Sequence, residues 1–261
     1  MERQNTKPVG QSNGCKNQFG NALSLTGGAV ISFDDNNIDN WHMAHNILER
    51  YYWKATFFVS RFHTLDSGKM EKLNELKKYG HEIAGHGLNH LNAAEYVTNH
   101  GIDAYMEDEI YAMKKIMGEK GFDVTSFAYP YGGRNTAIDS TLLNEFKIVR
   151  ATTYGSLAPC LHKCFYNNNN LVYGLGIDNS YGLETSYIKS LIDHAKSEGK
   201  AVIFYAHTPV KIIDGNYQIK VSRLAEICEY IGDLGMKYTT ISDLYQNFPL
   251  LEIPKNLEIS P

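Results

Sequence analysis

From Leu25 to about residue 245, short apolar runs alternate with amphipathic stretches, and no other feature of the chain limits its fold as tightly. "GGAVISFDD" is an apolar run that ends in acids, and residues 38–52 then carry Ile38, Trp41, Ala44, His45, Leu48 and Tyr52 at helical spacing. "KATFFVS" reads as the next strand, followed by a helix through "KMEKLNELKKYG" that Gly80 closes. "HEIAGHG" is a third strand, and a long helix over 103–120 ends at Gly121. "VTSFAYPYG", "FKIVRAT", "LVYGLGID", "AVIFYAHTP" and "KYTTIS" are further strands, most of them separated by helices over 135–146, 184–198 and 219–234. In the last helix Val221, Leu224, Ala225, Cys228, Ile231 and Leu234 make one apolar stripe, so Cys228 reads as core. Apolar strands between amphipathic helices imply an α/β fold with a parallel sheet covered by helices. Seven or eight such units favour a barrel over an open sheet, and the length suits a single one. The expected organisation is one domain over 25–250, a disordered polar leader over 1–24 and a tail over 251–261. The stretch 155–183, which contains "HKCFYNNNN", reads as an excursion over the surface.

Composition bears on partners. The formal net charge is -4 and no dense Lys/Arg tract occurs, which argues against nucleic acid or an anionic membrane as the main partner. No apolar run approaches the roughly 20 residues of a membrane span. The opening "MERQNTKPVGQSNGCKNQFGN" lacks the apolar centre of a signal peptide, and nothing apolar precedes Cys15 as a lipid anchor would require. Four cysteines are too few for a disulfide scaffold and leave the redox compartment open. Eighteen tyrosines suit both sugar-binding grooves and barrel walls.

In parallel α/β proteins chemistry gathers at the carboxyl ends of the strands. The first strand ends in Asp34 and Asp35. The third ends in His86, with His90 four residues on and Gly87 to let the backbone bend. "VTSFAYPYG" ends in Pro130, Tyr131 and Gly132, and "AVIFYAHTP" ends in His207. A barrel crowds all of these onto one rim. Two imidazoles and a carboxylate are a suitable set for a catalytic divalent metal, and a second carboxylate beside the first can serve as a base.

With these residues in view, "SFDDN", "HGLNH", "FAYPYG" and "YAHTP", in this order, resemble the motifs of the polysaccharide deacetylases with the NodB homology domain, carbohydrate esterase family 4. The resemblance covers residues 25–245. It implies a distorted (β/α) barrel of seven or eight units and metal-dependent removal of acetyl groups from N- or O-acetylated sugars. It also implies roles: Asp34 the catalytic base, and Asp35, His86 and His90 the ligands of a divalent metal. Zinc is the expected ion, with cobalt, nickel or manganese as alternatives for a His₂Asp set. Tyr131 would help form the oxyanion hole through its backbone N–H, and His207 would be the general acid. Tyr129, Pro130, Arg134 and Tyr205 are the candidate substrate-binding residues. An acetylated oligo- or polysaccharide is the expected partner, and its usual place outside the membrane implies an extracytoplasmic location. The chain departs from the pattern at several points. Asn36 stands where the family usually has Gly, Gly87 where it has Ser or Thr, and Tyr205 where it prefers Leu. Ala128 occupies the place of an Arg that orients the catalytic Asp, for which Arg134 is a candidate substitute. "GIDNSYG" echoes the fourth motif only in part, through Asp178.

Other readings compete. A glycoside hydrolase with paired carboxylates leaves the histidine pair unexplained. It also meets the objection that adjacent strand residues point to opposite faces, so that Asp34 and Asp35 could hardly flank one bond. A non-catalytic glycan-binding relative that keeps the metal is the second alternative. His42 and His45 at i and i+3 form another metal candidate, as does the loop Cys160-Leu161-His162-Lys163-Cys164. His63, His81, His100, His162 and His194 read as surface or capping residues.

Overall fold

The computed structural model describes residues 27–244, so the leader over 1–24 and the tail over 251–261 lie outside the described residues. Seven parallel strands run in sequence order around a ring: β1 (Gly28–Asp35), β2 (Ala55–Val59), β3 (Glu82–Gly85), β4 (Ser126–Ala128), β5 (Ile148–Thr153), β6 (Leu171–Gly176) and β7 (Ala201–Ala206). Pairing of β1 with β7, from Gly28↔Ala201 to Phe33↔Ala206, closes the ring. The result is a closed (β/α) barrel of seven strands. The predicted "KYTTIS" strand is a short β10 (Lys237–Tyr238), which pairs with Gly28 and Ala29 at the lower end of β1.

Six of the helices lie where the 3.6-residue pattern puts them. They are α1 (Ile38–Leu48), α2 (Ser67–Lys78), α5 (Ala112–Glu119), α6 (Thr136–Glu145), α7 (Thr185–Glu198) and α8 (Val221–Asp233). Local chemistry sets their ends: Asp66 and Asn135 accept the Lys69 and Ile138 amides at 2.9 and 3.0 Å as N-caps, and Gly199 closes α7 in the left-handed conformation. The helix expected over 103–120 is not uniform. A short α4 (Ile102–Tyr105) leads into a π-helical turn, Met106–Tyr111, and only then into α5. Ahead of it lies α3 (Ala93–His100), which the periodicity does not reveal. A small sheet of β8 (Thr208–Val210) and β9 (Gln218–Lys220) follows β7.

The two-residue period of the strands divides the core. Val30, Phe58, Ala84, Ala128, Ile148, Val172, Ala201 and Ile203 point into the barrel and form one buried cluster. Ile31, Phe33, Phe57, Val59, Phe127, Val149 and Phe204 point outward against the helices. At about 25 cal/mol for each Å² of apolar surface, these two layers supply the main drive for folding.

Part of the stretch over 155–183 corrects the surface expectation. The Cys164 carbonyl accepts the Ile203 amide at 2.8 Å, the Tyr166 amide donates to Ala201 at 2.8 Å, and Phe165 bridges Val202 in antiparallel sense. Buried Tyr166 joins the inner cluster. The segment therefore wedges between β6 and β7 near their starts, leaving those strands only two register pairs, Leu175↔Phe204 and Gly176↔Tyr205. This wedge is one source of the barrel's distortion.

Candidate active site

The ends of β1, β3, β4 and β7 deliver side chains to one cavity of about 260 Å³, which Asp34, Asp35, His86, His90, Tyr129, Tyr131, Tyr205 and His207 help to line. Asp34 continues the inward alternation of β1. Asp35 does not take the outward direction that the period assigns to it. Its φ of 84° puts it in left-handed backbone, and both carboxylates line the same space. Asp34 and Asp35 do not diverge as adjacent strand residues do, because the strand ends on a residue out of β geometry. Gly87, His90 and Tyr131 also have positive φ, of 78°, 63° and 57°. Backbone in sparsely populated regions collects at sites where the surroundings enforce it.

His86 is buried, and its Nδ1 donates to the Ala128 carbonyl at 2.8 Å. That fixes the tautomer and leaves the Nε2 lone pair facing Asp35 Oδ1 at 3.7 Å and Asp34 Oδ2 at 4.0 Å. Burial holds the imidazole down at about 4 against the pull of Asp34 and Asp35, so it is neutral at pH 7. His90 Nε2 lies 3.0 Å from Asp35 Oδ1. Burial raises the Asp35 carboxyl, but the His90 hydrogen bond and the charges of His86, His207 and His90 outweigh it and bring it to about 2. One donor atom from each of Asp35, His86 and His90 lies within 4.8 Å of the others. Tetrahedral zinc ligands at about 2.0–2.1 Å stand roughly 3.4 Å apart, so this set fits a divalent cation. A lone pair aimed at two carboxylates with no proton between them is also an arrangement that a cation resolves.

Asp34 is buried and held by Arg150 Nη2, while its Oδ1 has no hydrogen-bond partner among the described residues. Arg150 corrects the expectation for Arg134. Arg134 is tied to Asp139, which also accepts the Tyr129 hydroxyl at 2.9 Å, and Arg134 does not line the cavity. Arg150 projects from β5 into the barrel, and its register partner on β4 is Ala128. The guanidinium expected at 128 therefore stands one strand over at the same height. The small Ala128 and the bare Gly174, where a Cβ would come within 2.9 Å of Arg150 Cδ, leave it room. A lone Arg inside "FKIVRAT" was the available signal.

Asp178, two residues past β6, accepts both the His207 backbone amide at 3.2 Å and the Nδ1–H at 2.6 Å. Burial works against the His207 cation, but the Asp178 hydrogen bond and the charges of Asp34, Asp178 and Asp35 raise its pKa above the ordinary value. The Trp41 indole donates to the His207 carbonyl at 2.9 Å and ties this strand end to α1. Tyr205 is buried, with the Arg150 guanidinium 4.6 Å from its ring centre and its hydroxyl donating to Tyr181 at 2.8 Å. Pro130 is buried at the start of the turn that carries Tyr131, and the Tyr131 ring, largely exposed, meets His90 at 4.7 Å. Tyr154, Tyr181 and Tyr217 complete the aromatic rim and were not singled out from the sequence. Tyrosines thus serve here both as wall and as rim.

The competing histidine and cysteine clusters fall away. His42 pairs with Glu75 at 2.5 Å. His45 and His81, the latter expected at the surface, are buried and bonded to each other at 2.9 Å. His162, also buried, accepts the Cys164 amide through Nδ1, Cys164 is a free buried thiol, and Cys160 is disulfide-bonded. No metal loop forms there.

A closed parallel barrel with a His₂Asp donor set, a held carboxylate and a paired histidine at its carboxyl rim defines a class of barrel protein built for chemistry at that rim. Residues 26–148 match the family model described as polysaccharide deacetylase, a stretch that contains Asp34, Asp35, His86, His90 and Tyr131. That stretch, just under half of the chain, is similar to the polysaccharide deacetylases. Among solved structures the chain is similar to the carbohydrate esterase family 4 domain of a multidomain xylanase from the hindgut metagenome of Trinervitermes trinervoides. That match has 21% identity, 84% of this chain and 90% of the other covered, and a TM-score of 0.53. A peptidoglycan deacetylase from Bacillus subtilis matches at 18% identity over 85% and 91% of the two chains, with a TM-score of 0.55. A CE4 esterase from Streptococcus mutans matches at 14% identity over 83% and 87%, with a TM-score of 0.56. At these identities the likeness concerns the fold. No curated protein matches the chain significantly.

Proposed function

We propose that the protein is a metal-dependent carbohydrate deacetylase that hydrolyses acetyl groups from N- or O-acetylated sugars. One observation carries the reading: a cation-ready Asp35–His86–His90 set shares a small cavity with a carboxylate that has one oxygen held and one free, and with a carboxylate-paired histidine. A divalent cation bound there, zinc by the N/O character of the donors, supplies Lewis acidity toward the acetyl carbonyl and acidifies water. Asp34 takes the proton of the attacking water through Oδ1 while Arg150 holds Oδ2. The Tyr131 amide donates to the developing oxyanion, and its left-handed backbone turns that peptide out of strand geometry at the rim. His207, kept protonated to higher pH by Asp178, gives its proton to the leaving amine or alcohol as the C–N or C–O bond breaks. Acetate and the free sugar group are the products. Tyr129 and Tyr205 shape the walls, whereas Pro130 does not line the cavity and starts the turn that carries Tyr131. The cavity is small for a whole oligosaccharide, which suits one acetylated unit inside and the rest of the glycan along the tyrosine rim. An extracytoplasmic location suits such a substrate and the disulfide at Cys160.

The test is acetate release from a panel of N- and O-acetylated oligosaccharides by protein stripped with chelator and resupplied with zinc. Release that returns with zinc is expected, and the panel identifies the linkage. Zinc-loaded protein that frees no acetate from any member, or release indifferent to chelation, overturns the proposal.

A further inference from the structure

Glu109 is fully buried, does not line the cavity and takes no part in the chemistry described above. It projects from the π-helical turn Met106–Tyr111, and such turns are often found at functional sites. Its two oxygens accept the Asn89 backbone amide at 2.9 and 3.1 Å, and the nearby Leu91 amide favours its charged form. These two amides flank His90 in sequence. On the near side of the turn a Cβ on Gly87 would stand 2.5 Å from Glu109 Oε2. The carboxylate thus fills the space that a side chain at 87 would need, which gives a physical reason for glycine there. The turn needs an outside hold, because both Gly87 and His90 are in left-handed backbone. For a non-glycine residue such a conformation costs about 1–3 kcal/mol unless the surroundings fix it.

We propose that Glu109 is the positioning residue of the His86–His90 turn, a reading that rests on the cation site proposed above. By accepting the Asn89 amide through both oxygens and filling the space beside Gly87, the carboxylate locks the turn and sets the direction of the His90 imidazole. The Asp35–His86–His90 set is thereby arranged before any cation arrives. Charge-assisted bonds from backbone amides are strong and directional, and a carboxylate can accept several at once. An amide in its place offers one acceptor oxygen and turns an NH₂ group toward the same donors.

The experiment uses the full chain as wild type, Glu109→Gln, Glu109→Ala and a His86→Ala/His90→Ala control. Zinc affinity is read by competition with a chromophoric chelator, and the Asn89 and Leu91 amides of the zinc-free protein are followed by NMR. Loss of an outer hydrogen-bond partner of a metal ligand typically weakens binding about 10- to 100-fold, and that loss is expected in both Glu109 variants. Saturating zinc should restore most of kcat, because the chemistry groups remain in place. The Asn89 amide should resonate downfield and exchange slowly in wild type, and lose both properties in Glu109→Gln. Wild-type zinc affinity in the Glu109 variants, or an unchanged Asn89 amide in Glu109→Gln, overturns the proposal. Where Glu109→Ala fails to fold, the near-isosteric Glu109→Gln decides alone. Failure of wild type to bind zinc, or equal binding by the histidine double variant, would instead sink the cation site. The amide signature would still decide whether Glu109 holds the turn.

Discussion

Arg150 is a charged residue with no exposed surface, and it bonds Asp34 through Nη2 while its Nε and Nη1 have no hydrogen-bond partner among the described residues. The rings of Tyr205 and Phe58, with centres 4.6 and 5.2 Å from the guanidinium carbon, offset part of its lost hydration by cation–π attraction. Such a pair is stable as a pair and costly when halved: removing one partner of a buried ion pair costs about 3–5 kcal/mol. Arg150→Met is therefore expected to lower unfolding free energy by that order in denaturant titrations, and Asp34→Asn/Arg150→Met to recover part of it. In kinetics Arg150→Met should reduce kcat about a hundredfold, since a catalytic group displaced by about 1 Å loses that much. Zinc affinity should hardly change. An Arg150→Met protein with wild-type kcat would show that Asp34 needs no such support.

Among the elements, α1 and the entry to β3 are joined by two buried imidazoles. The Ala55 amide donates to His81 Nδ1 at 3.0 Å, so the His81 proton sits on Nε2 and points at His45 Nδ1, 2.9 Å away. Burial lowers both histidines, and with the neighbouring His45 and Lys54 charges it takes His81 to about 3. A histidine with a depressed folded pKa is neutral in the native state but takes up a proton in the unfolded chain below about 6.5. Its contribution is therefore intact above pH 6.5 and is lost as the pH falls toward 3. At pH 5 the His81 loss is about 2 kcal/mol. Urea titrations from pH 7 to 4 should show this decline, and His81→Gln should flatten it. An equally steep decline in His81→Gln would assign the acid sensitivity elsewhere.

For the whole molecule, the proposed cation links β1 to the turn after β3, two elements about fifty residues apart in the chain. A ligand that binds only the native state stabilises it by about 2.7 kcal/mol at one hundred times its Kd. In a domain of this size 1 kcal/mol moves Tm by about 2–4 °C. Zinc at that excess should thus raise Tm of the chelator-stripped protein by about 5–10 °C, and the His86→Ala/His90→Ala protein should show no such rise in calorimetry. A similar rise in both proteins would place the zinc elsewhere.

The barrel and the level at which its chemistry sits are legible in the residue pattern alone. Apolar periods of two and 3.6 residues are local properties, and they report strands and helices wherever a continuous face is buried. Strand-end polar residues such as Asp34, His86 and His207 follow from the same pattern, because in a parallel barrel every carboxyl end faces one rim. The partners of individual site residues depend instead on groups that folding brings together from distant parts of the chain. Arg150 replaces an arginine expected at 128 because β5 lies beside β4 in register, a relation that no spacing within either strand encodes. Asp35 turns into the cavity through a single left-handed residue, His81 is buried because α1 brings His45 to it, and Glu109 reaches Asn89 from a widened helical turn. In each case the residue type was legible, but its partner was not. Hydrogen bonds and ion pairs are fixed by three-dimensional neighbours, whereas hydrophobic patterning is written along the chain.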